Sequence, residues 1–346
     1  MANSAPTLKP RDVSSRADRH LTAAIRREGG FDRHNWVLPR ASCGRQGLNL
    51  PENTNDLETI HTIEWMKQIA RKARTEGRPV GLVPTMGALH EGHIALLRAA
   101  MSECNPVIAS IFVNPTQFGP SEDFQKYPRT FETDRARLEA AGVSYLFAPQ
   151  ADEMYPKGFR TWVNVEGLSD RLEGRVRPGH FRGVTTVVLK LLEIVQPHKA
   201  FFGRKDAQQA RLIQQMARDL HLDSEISVCP IVREADGLAM SSRNAYLSPD
   251  ERRAATVLYR VLDDARQAID RGERDAMRLA AAMRDKIRTE PLAELDYVEL
   301  VDAETLEQVT HLRGTCMALL AARFGTTRLI DNLLIEEREG GFRVTL

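Results

Sequence analysis

Residues 80–104, which read VGLVPTMGALHEGHIALLRAAMSEC, decide the fold. The apolar run at 80–83 predicts a short buried strand, and the periodic apolar residues at about 91–104 predict a helix. Between them lies a loop that contains Gly87. A short strand without polar alternation that leads into a helix is typical of a parallel sheet covered on both faces.

The same alternation continues on both sides of this stretch. Asn55 or Asp56 is expected to cap a first helix that ends at Gly77, with apolar positions at Leu57, Ile60, Ile63, Ile69 and Ala73. Further strands are predicted at 107–113, 143–147, 200–202 and 226–232, and further helices at 133–142, 184–195 and 207–220. We therefore expect residues 56–231 to form an α/β domain with a doubly wound, Rossmann-like parallel sheet.

The pattern changes after Arg233. Helices are predicted at 249–271 and 274–289, and β runs at 296–301, 316–322 and 327–335, with turns at Gly314 and Gly325. Residues 232–346 are thus expected to form a smaller C-terminal α+β domain, a lid over a ligand in the cleft near residue 232.

Residues 1–55 are polar and rich in arginine, without sustained apolar periodicity. They predict a disordered or loosely attached leader. A secretory signal would need an apolar segment, and a transit peptide would lack the acidic residues present here. We therefore expect a non-functional extension.

Composition excludes several classes of protein. With 48 basic and 47 acidic residues the net charge is +1, which disfavours a nucleic acid or an anionic membrane surface as partner. The best apolar run, at 184–195, is interrupted by Lys190 and Glu193, so no membrane span is expected. The four cysteines are far apart and form no C-x-x-C pair, which favours reduced thiols and a cytoplasmic location.

The segment around His90 and His93 carries the clearest chemical signal. It lies where a strand ends and a helix begins, and the free N–H groups of a helix start favour phosphate. Two imidazoles there can donate hydrogen bonds to a leaving group that gains charge. A Walker A loop would need Lys and Ser or Thr where His93 and Ile94 stand, and a zinc protease would need H-E-x-x-H instead of H-E-G-H. Two surface histidines in a glycine-rich turn remain the alternative.

Two further clusters have a functional and an ordinary interpretation. In GRKDAQQ, residues 203–209, Lys205 could hold a triphosphate. Asp206 and Gln209 fit a helix capping box as well as they fit ligand contacts. In MSSRN, residues 240–244, hydroxyl groups and a guanidinium suit phosphate oxygens, but a polar linker would look the same.

Together with FVNPTQF at 112–118, YPR at 127–129 and RPGHF at 177–181, these segments resemble the pantothenate synthetase (pantoate–β-alanine ligase) family. The resemblance extends from about residue 57 to the end and places the chain among the H-x-G-H nucleotidyl transferases. It implies an ATP-dependent condensation of (R)-pantoate with β-alanine to pantothenate, AMP and pyrophosphate through pantoyl adenylate. It also implies Mg²⁺ on the phosphates and a homodimer joined through the larger domain.

The resemblance also implies roles for individual residues. The implied catalytic residues are His90, His93, Lys205, Ser241, Ser242 and Arg243. The implied ATP site consists of Pro84, Thr85, Met86, Gly87, Ala88, Leu89, His90, Glu91, Gly92, His93, Gly203, Arg204, Lys205, Asp206, Val232, Met240, Ser241, Ser242 and Arg243. Pantoate and β-alanine would contact Asn114, Gln117, Tyr127, Arg177 and Gln209, and no protein ligand to a metal is assigned.

Two positions depart from the family pattern. Relatives usually carry an acidic residue at Arg204 and an aromatic one at Ala207, so we expect a changed nucleotide affinity. Two other functions remain open: another H-x-G-H adenylyltransferase acting on a different acid, and a catalytically silent nucleotide sensor.

Overall fold

The computed structural model of the protein describes residues 57–120 and 122–346. The expected leader and the expected caps Asn55 and Asp56 lie outside the described residues. None of the helices in the described ranges has the length and apolar composition of a bilayer span.

The first sheet has six strands in the order β1-β4-β3-β2-β5-β6, and all neighbouring strands are parallel. The strands are β1 Glu58–Ile60, β2 Gly81–Thr85, β3 Val107–Ile111, β4 Tyr145–Phe147, β5 Lys199–Gly203 and β6 Glu225–Cys229. The helices of this part are α1 Ile63–Thr75, α2 Glu91–Glu103, α3 Phe131–Ala140, α4 Ala151–Met154, α5 Glu173–Val176, α6 His180–Val195 and α7 Ala207–Asp219. The expected doubly wound α/β fold is confirmed.

The strands form here because their side chains are buried on both faces. Leu82, Val83, Ile108 and Ala109 of the central strands are fully buried. Val83 and Ala109 share one apolar core with Leu97 of α2. A parallel sheet covered by helices selects such continuous apolar strands, which is why β2 and β3 could be predicted from the sequence.

The prediction of the first helix is partly wrong. Residues 58–60 form strand β1, which pairs in parallel with β4, and the helix starts only at Ile63. Thr62 is the N-cap, and its side chain accepts a hydrogen bond from the backbone N–H of Trp65. Leu57 and Ile60 stand three residues apart, a spacing that fits a helix as well as a short edge strand, so periodicity could not separate the two.

The second sheet is antiparallel, with strand order β10-β9-β8-β7. Its strands are β7 Ala293–Asp302, β8 Thr315–Phe324, β9 Thr327–Arg338 and β10 Gly341–Thr345, and it packs with α8 Pro249–Ala254, α9 Val257–Asp270 and α10 Ala276–Arg288. This confirms the smaller α+β part. Two details differ from expectation: the helix expected at 249–271 is broken into α8 and α9, and β10 was not predicted.

The two faces of β9 contact different parts of the protein. Leu329, Leu333 and Ile335 belong to the core that includes α9 and α10. Alternate residues point the other way. Among them, Arg328 makes two hydrogen bonds to the Glu173 carboxylate, at 2.6 and 2.8 Å. This face of the second sheet therefore contacts α5 of the first part.

The strand order places a crevice between β2 and β5. From β2 the chain proceeds to β3 and β4 on one side, whereas β5 and β6 lie on the other side. In open α/β sheets, ligands bind outside the carboxyl ends of the strands at such a switch point. The segments that follow β2 and β5 are the ones that hold His90, His93 and Lys205.

Candidate active site

A cavity opens at this switch point, and its wall consists of segments that follow β2, β3, β5 and β6 together with one face of α6. The lining residues are Pro84, Thr85, Met86, His90, Gly92, His93, Leu96, Phe112, Asn114, Gln117, Phe118, Tyr127, Arg177, His180, Val184, Val187, Val188, Leu191, Phe202, Gly203, Lys205, Asp206, Gln209, Pro230, Ile231, Val232, Met240, Ser241, Ser242 and Arg243. A single cavity is thus lined by His90, His93, Lys205 and residues 241–243, which we call the serine–arginine segment.

The loop between β2 and α2 is held in an uncommon backbone conformation. Gly87 and Ala88 have φ angles of 81° and 50°, in the left-handed region. The buried Asp134 carboxylate of α3 accepts hydrogen bonds from the backbone N–H groups of Ala88 and Leu89, both at 2.8 Å. Asp134, which the sequence interpretation did not single out, therefore fixes the entry to α2.

His90 and His93 cap the start of α2 through their Nδ1 atoms. His90 Nδ1 accepts a hydrogen bond from the Gly92 N–H, and His93 Nδ1 accepts one from the His90 N–H, both at 3.2 Å. The ring centroids are 4.1 Å apart. Because a backbone N–H can only donate, each neutral ring carries its proton on Nε2. The pair therefore presents two Nε2–H donors.

Both imidazoles are neutral near pH 7. Burial, followed by the positive charge of Lys205, lowers the pKa of His90 to about 4. Burial, followed by the charges of His90 and Lys205, lowers the pKa of His93 to about 3. Desolvation penalises the charged form of a base, so the free protein holds hydrogen-bond donors here instead of imidazolium ions.

We expect nuclear magnetic resonance to detect this protonation state. In ¹⁵N-labelled protein, His90 and His93 should remain neutral Nε2–H tautomers from pH 8 to pH 6. A Lys205→Met variant should raise the pKa of both rings, because the Lys205 charge is one of the causes that lower them. Titration of either ring above pH 6 in the wild type would contradict the assignment.

Lys205 and Asp206 belong to a 3₁₀ turn, Arg204–Asp206, between β5 and α7. Asp206 is the N-cap residue of α7, but its side chain makes no capping hydrogen bond. The capping-box interpretation of Asp206 and Gln209 is therefore wrong. Both residues line the cavity instead.

The serine–arginine segment contacts the chain that follows β3. The Arg243 guanidinium donates to both Asp123 carboxylate oxygens, at 3.0 and 3.1 Å. The hydroxyl oxygens of Ser242 and Tyr127 are 3.4 Å apart. The polar-linker alternative for this segment is thus disfavoured, because its side chains contact the opposite wall of the cavity.

Gln117 is held from several sides. Asn114, which is 1% exposed, donates to Gln117 Oε1 at 3.0 Å and to the Gly183 carbonyl at 3.2 Å. His180 Nδ1 donates to the Gln117 carbonyl at 2.8 Å. One amide hydrogen of Asn114 therefore orients the Gln117 side chain, and the other ties Asn114 to the backbone of α6.

Arg177 is already paired. Its guanidinium donates to both Glu122 carboxylate oxygens, at 2.7 and 2.6 Å, and to His180 Nε2 at 3.0 Å. His180 thus accepts at Nε2 and donates at Nδ1, and burial followed by the Arg177 charge lowers its pKa to about 4. Arg177 and His180 together stabilise the cavity wall behind Gln117.

Five residues of the predicted ATP site do not line the cavity: Gly87, Ala88, Leu89, Glu91 and Arg204. The first three form the loop backbone behind it. Arg204 is directed away, since its guanidinium donates to the Thr345 carbonyl of β10 at 3.3 Å. Arg204 therefore does not place its charge on the cavity wall, although it was included in the predicted ATP site.

The apolar wall from α6 was missed. Val184, Val187, Val188 and Leu191 line the cavity, although their spacing is that of an ordinary core-facing helix. Helical periodicity identifies a buried face but does not say whether protein or ligand covers it. His180 was also missed as a site residue, although it stands within the RPGHF segment.

Comparison with known proteins agrees with the fold. The family model described as pantoate-beta-alanine ligase matches residues 58–334. A pantothenate synthetase from Acidobacterium capsulatum is 57% identical over 286 residues, covering 82% of this chain and 96% of that protein. Another from Acetivibrio thermocellus is 53% identical over 280 residues, covering 81% and 100%.

Solved structures give the same result. The pantothenate synthetase of Thermus thermophilus aligns with a TM-score of 0.76 at 46% identity, covering 80% of this chain and 98% of that one. A pantoate-beta-alanine ligase from Francisella tularensis, described as complexed with beta-gamma ATP and beta-alanine, aligns with a TM-score of 0.65 at 35% identity, covering 80% and 97%. The chain therefore belongs to the pantoate–β-alanine ligase family and is an enzyme of that family.

Proposed function

We propose that this cavity catalyses the ATP-dependent condensation of pantoate with β-alanine, which yields pantothenate, AMP and pyrophosphate. One observation carries the proposal: two imidazole donors, Lys205 and the segment 241–243 line the same cavity as Gln117 and Gln209. A carboxylate and a triphosphate repel each other, so their reaction needs several cationic and hydrogen-bonding groups around a shared site.

In the first step, a pantoate carboxylate oxygen attacks the α-phosphorus of ATP. The bond from the α-phosphorus to the bridging oxygen breaks, and pyrophosphate leaves with the electron pair. His90 and His93 donate through Nε2–H to phosphate oxygens, while Lys205, Ser241, Ser242 and Arg243 stabilise the charge that develops on the leaving group. Arg243 would exchange Asp123 for phosphate oxygens.

In the second step, the β-alanine amine attacks the acyl carbon of pantoyl adenylate, the bond from that carbon to the phosphate oxygen breaks, AMP leaves with the electron pair, and the nitrogen loses a proton to solvent. Gln117 and Gln209 would bind pantoate through their amides, Gln117 would later bind β-alanine, and Tyr127 and Arg177 would border this half of the site. The α6 wall of Val184, Val187 and Leu191 suits the two methyl groups of pantoate. No covalent nucleophile of the protein is required.

Gly183→Ala is expected to weaken pantoate binding. A Cβ atom at Gly183 would lie 2.4 Å from the Thr116 carbonyl oxygen and 2.8 Å from the Gln117 Cα. The turn that carries Gln117 must then move, at a cost of about 1–3 kcal/mol in stability. The KM for pantoate should rise more than the KM for ATP. Equal changes in the two KM values would contradict this role.

Mg²⁺ is expected to be held by the ATP phosphates. Among the described residues, no cluster of three or more His, Cys, Asp or Glu suits a metal ion. Asp206 supplies a carboxylate in the cavity wall. Mg²⁺ commonly binds through one or two carboxylates and substrate phosphates, so the wall fits an ion delivered with ATP. When bound, it would offset phosphate charge.

Two further assignments belong to the proposal. The larger domain, residues 56–231, would form a homodimer, and residues 232–346 would act as a lid. Within the described residues Cys104, Cys229 and Cys316 are free, which favours a cytoplasmic location. Sedimentation equilibrium of the wild type should give a dimer, and a monomer would contradict this assignment.

The reaction is tested by incubating the protein with pantoate, β-alanine and Mg-ATP. The expected products are pantothenate, AMP and pyrophosphate, and ADP with phosphate would exclude the adenylate route. Exchange of labelled pyrophosphate into ATP should require pantoate. Exchange that ignores pantoate would favour another adenylyltransferase, and ATP binding without turnover would favour a nucleotide sensor.

A further inference from the structure

The turn that carries Lys205 is bound by a residue from the other sheet. Asn332 lies on β9 and is 1% exposed. Its Nδ2 donates one hydrogen bond to the Arg204 carbonyl at 2.8 Å and another to the Lys205 carbonyl at 3.0 Å. One side-chain amide thus restrains two successive peptide groups next to the cavity.

Chemistry fixes the orientation of this amide. Carbonyl oxygens only accept hydrogen bonds, so the group that faces them must be the NH₂ group, since a reversed amide would place Oδ1 against both carbonyl oxygens. Oδ1 itself is buried and has no hydrogen-bond partner among the described residues. An unpaired buried acceptor reduces stability, so Asn332 is not explained by stability alone.

The turn has few local restraints of its own. The Asp206 side chain makes no capping hydrogen bond to α7. The position of Lys205 along the cavity wall therefore depends on contacts from outside the turn. Asn332 supplies two such contacts.

We propose that Asn332 is a positioning residue that sets the place of the Lys205 ammonium group relative to the ATP phosphates. Asn332 does not line the cavity and acts through the Lys205 backbone. The second sheet would thereby contribute directly to transition-state stabilisation in the first. This inference rests on the proposed function, because it takes Lys205 to contact phosphate.

Two variants test the proposal. Asn332→Asp has nearly the same shape but replaces both donors with an acceptor, and Asn332→Leu removes the donors without adding charge. We expect each to lower kcat by about tenfold to a hundredfold, since small displacements of a catalytic group have effects of this size. The KM for pantoate should change less than kcat, because Gln117 on the other side of the site is untouched.

A matched control separates positioning from stability. Leu333 is the neighbouring residue, is fully buried and belongs to the core on the opposite face of β9. Leu333→Ala should lower Tm at least as much as the Asn332 variants while kcat, measured well below Tm, stays near the wild-type value. An equal loss of kcat in Leu333→Ala would overturn the positioning role.

A double-mutant cycle with Lys205→Ala gives the sharper result. If Asn332 acts through Lys205, Asn332→Leu should have little further effect on kcat once Lys205 is removed. Independent losses that multiply would overturn the proposal, as would unchanged kcat in both single variants. The Kd of Mg-ATP, measured by calorimetry, gives the same cycle without turnover. A wild type that makes no pantothenate would refute the proposed function, whereas the calorimetric cycle would still test the position of Lys205.

Discussion

His93→Ala is expected to lower kcat by about 10²- to 10³-fold while the fold stays intact. Removing one preorganised donor from a site of developing charge typically costs about 3–4 kcal/mol in the activation barrier. His93 is the more buried imidazole of the pair, and its Nδ1 is already used by the His90 N–H. Its Nε2–H is therefore held in one direction. Single-turnover measurement of AMP formation tests this effect directly.

Two further substitutions separate the capping role of His93 from its donor role. In His93→Asn, Oδ1 can replace Nδ1 as the acceptor of the His90 N–H, but no donor replaces Nε2–H. In His93→Gln, the amide can reach the Nε2 position, but the cap is lost. We expect the asparagine variant to be as slow as alanine and the glutamine variant to be faster. The reverse order would assign His93 to capping alone.

His90→Ala should have a smaller effect on kcat than His93→Ala. His90 also lines the cavity, and its Nδ1 accepts from the Gly92 N–H two residues ahead. A rate unchanged in His93→Ala would remove His93 from the mechanism, whatever the effect at His90.

The central sheet could be predicted because its strands are short, apolar and followed by helices. Leu82 and Ile108 are fully buried in strands that are covered on both faces. Apolar composition and spacing were therefore enough to identify β2 and β3. The sequence could not distinguish the edge strand β1 from the start of a helix, because the three-residue spacing of Leu57 and Ile60 is compatible with both. In the structure, Ile60 pairs with Phe147 of β4, and this pairing makes residues 58–60 a strand.

Site residues that lie close together in the sequence could be predicted. Those that act through tertiary contacts could not. His90 and His93 stand within one helical turn, so their cooperation follows from spacing. Asp134 is far along the chain from the loop it holds, and Asn332 is further still from Lys205. Each looks like an ordinary polar residue of a helix or strand. Only the packing of α3 and β9 shows what they bind.

The Asp134→Ala substitution is expected to damage stability and turnover together. The carboxylate is 1% exposed and accepts hydrogen bonds from the N–H groups of Ala88 and Leu89 and from the Thr130 hydroxyl. A buried donor left without a partner costs about 1–3 kcal/mol, so the two N–H groups together predict a loss of about 2–6 kcal/mol in the free energy of unfolding. Urea denaturation followed by circular dichroism measures it.

Turnover should fall because Asp134 holds a strained loop at the start of α2. Ala88 is a non-glycine residue with a φ of 50°, a conformation that persists only when its surroundings impose it. Once the carboxylate is gone, the loop can relax and displace His90. Glu132→Ala is the matched control, because it removes an exposed carboxylate from the same turn of α3.

Asp134→Asn and a second-site change distinguish loop strain from a general loss of stability. The asparagine side chain keeps one acceptor but turns its NH₂ group toward a backbone N–H, so we expect an intermediate loss of stability. Ala88→Gly relieves the left-handed strain, which is worth about 1–2 kcal/mol, and should partly restore stability and kcat in the Asp134→Asn background. A restored stability without any recovery of kcat would show that Asp134 supports the fold and does not determine the geometry of the histidine pair.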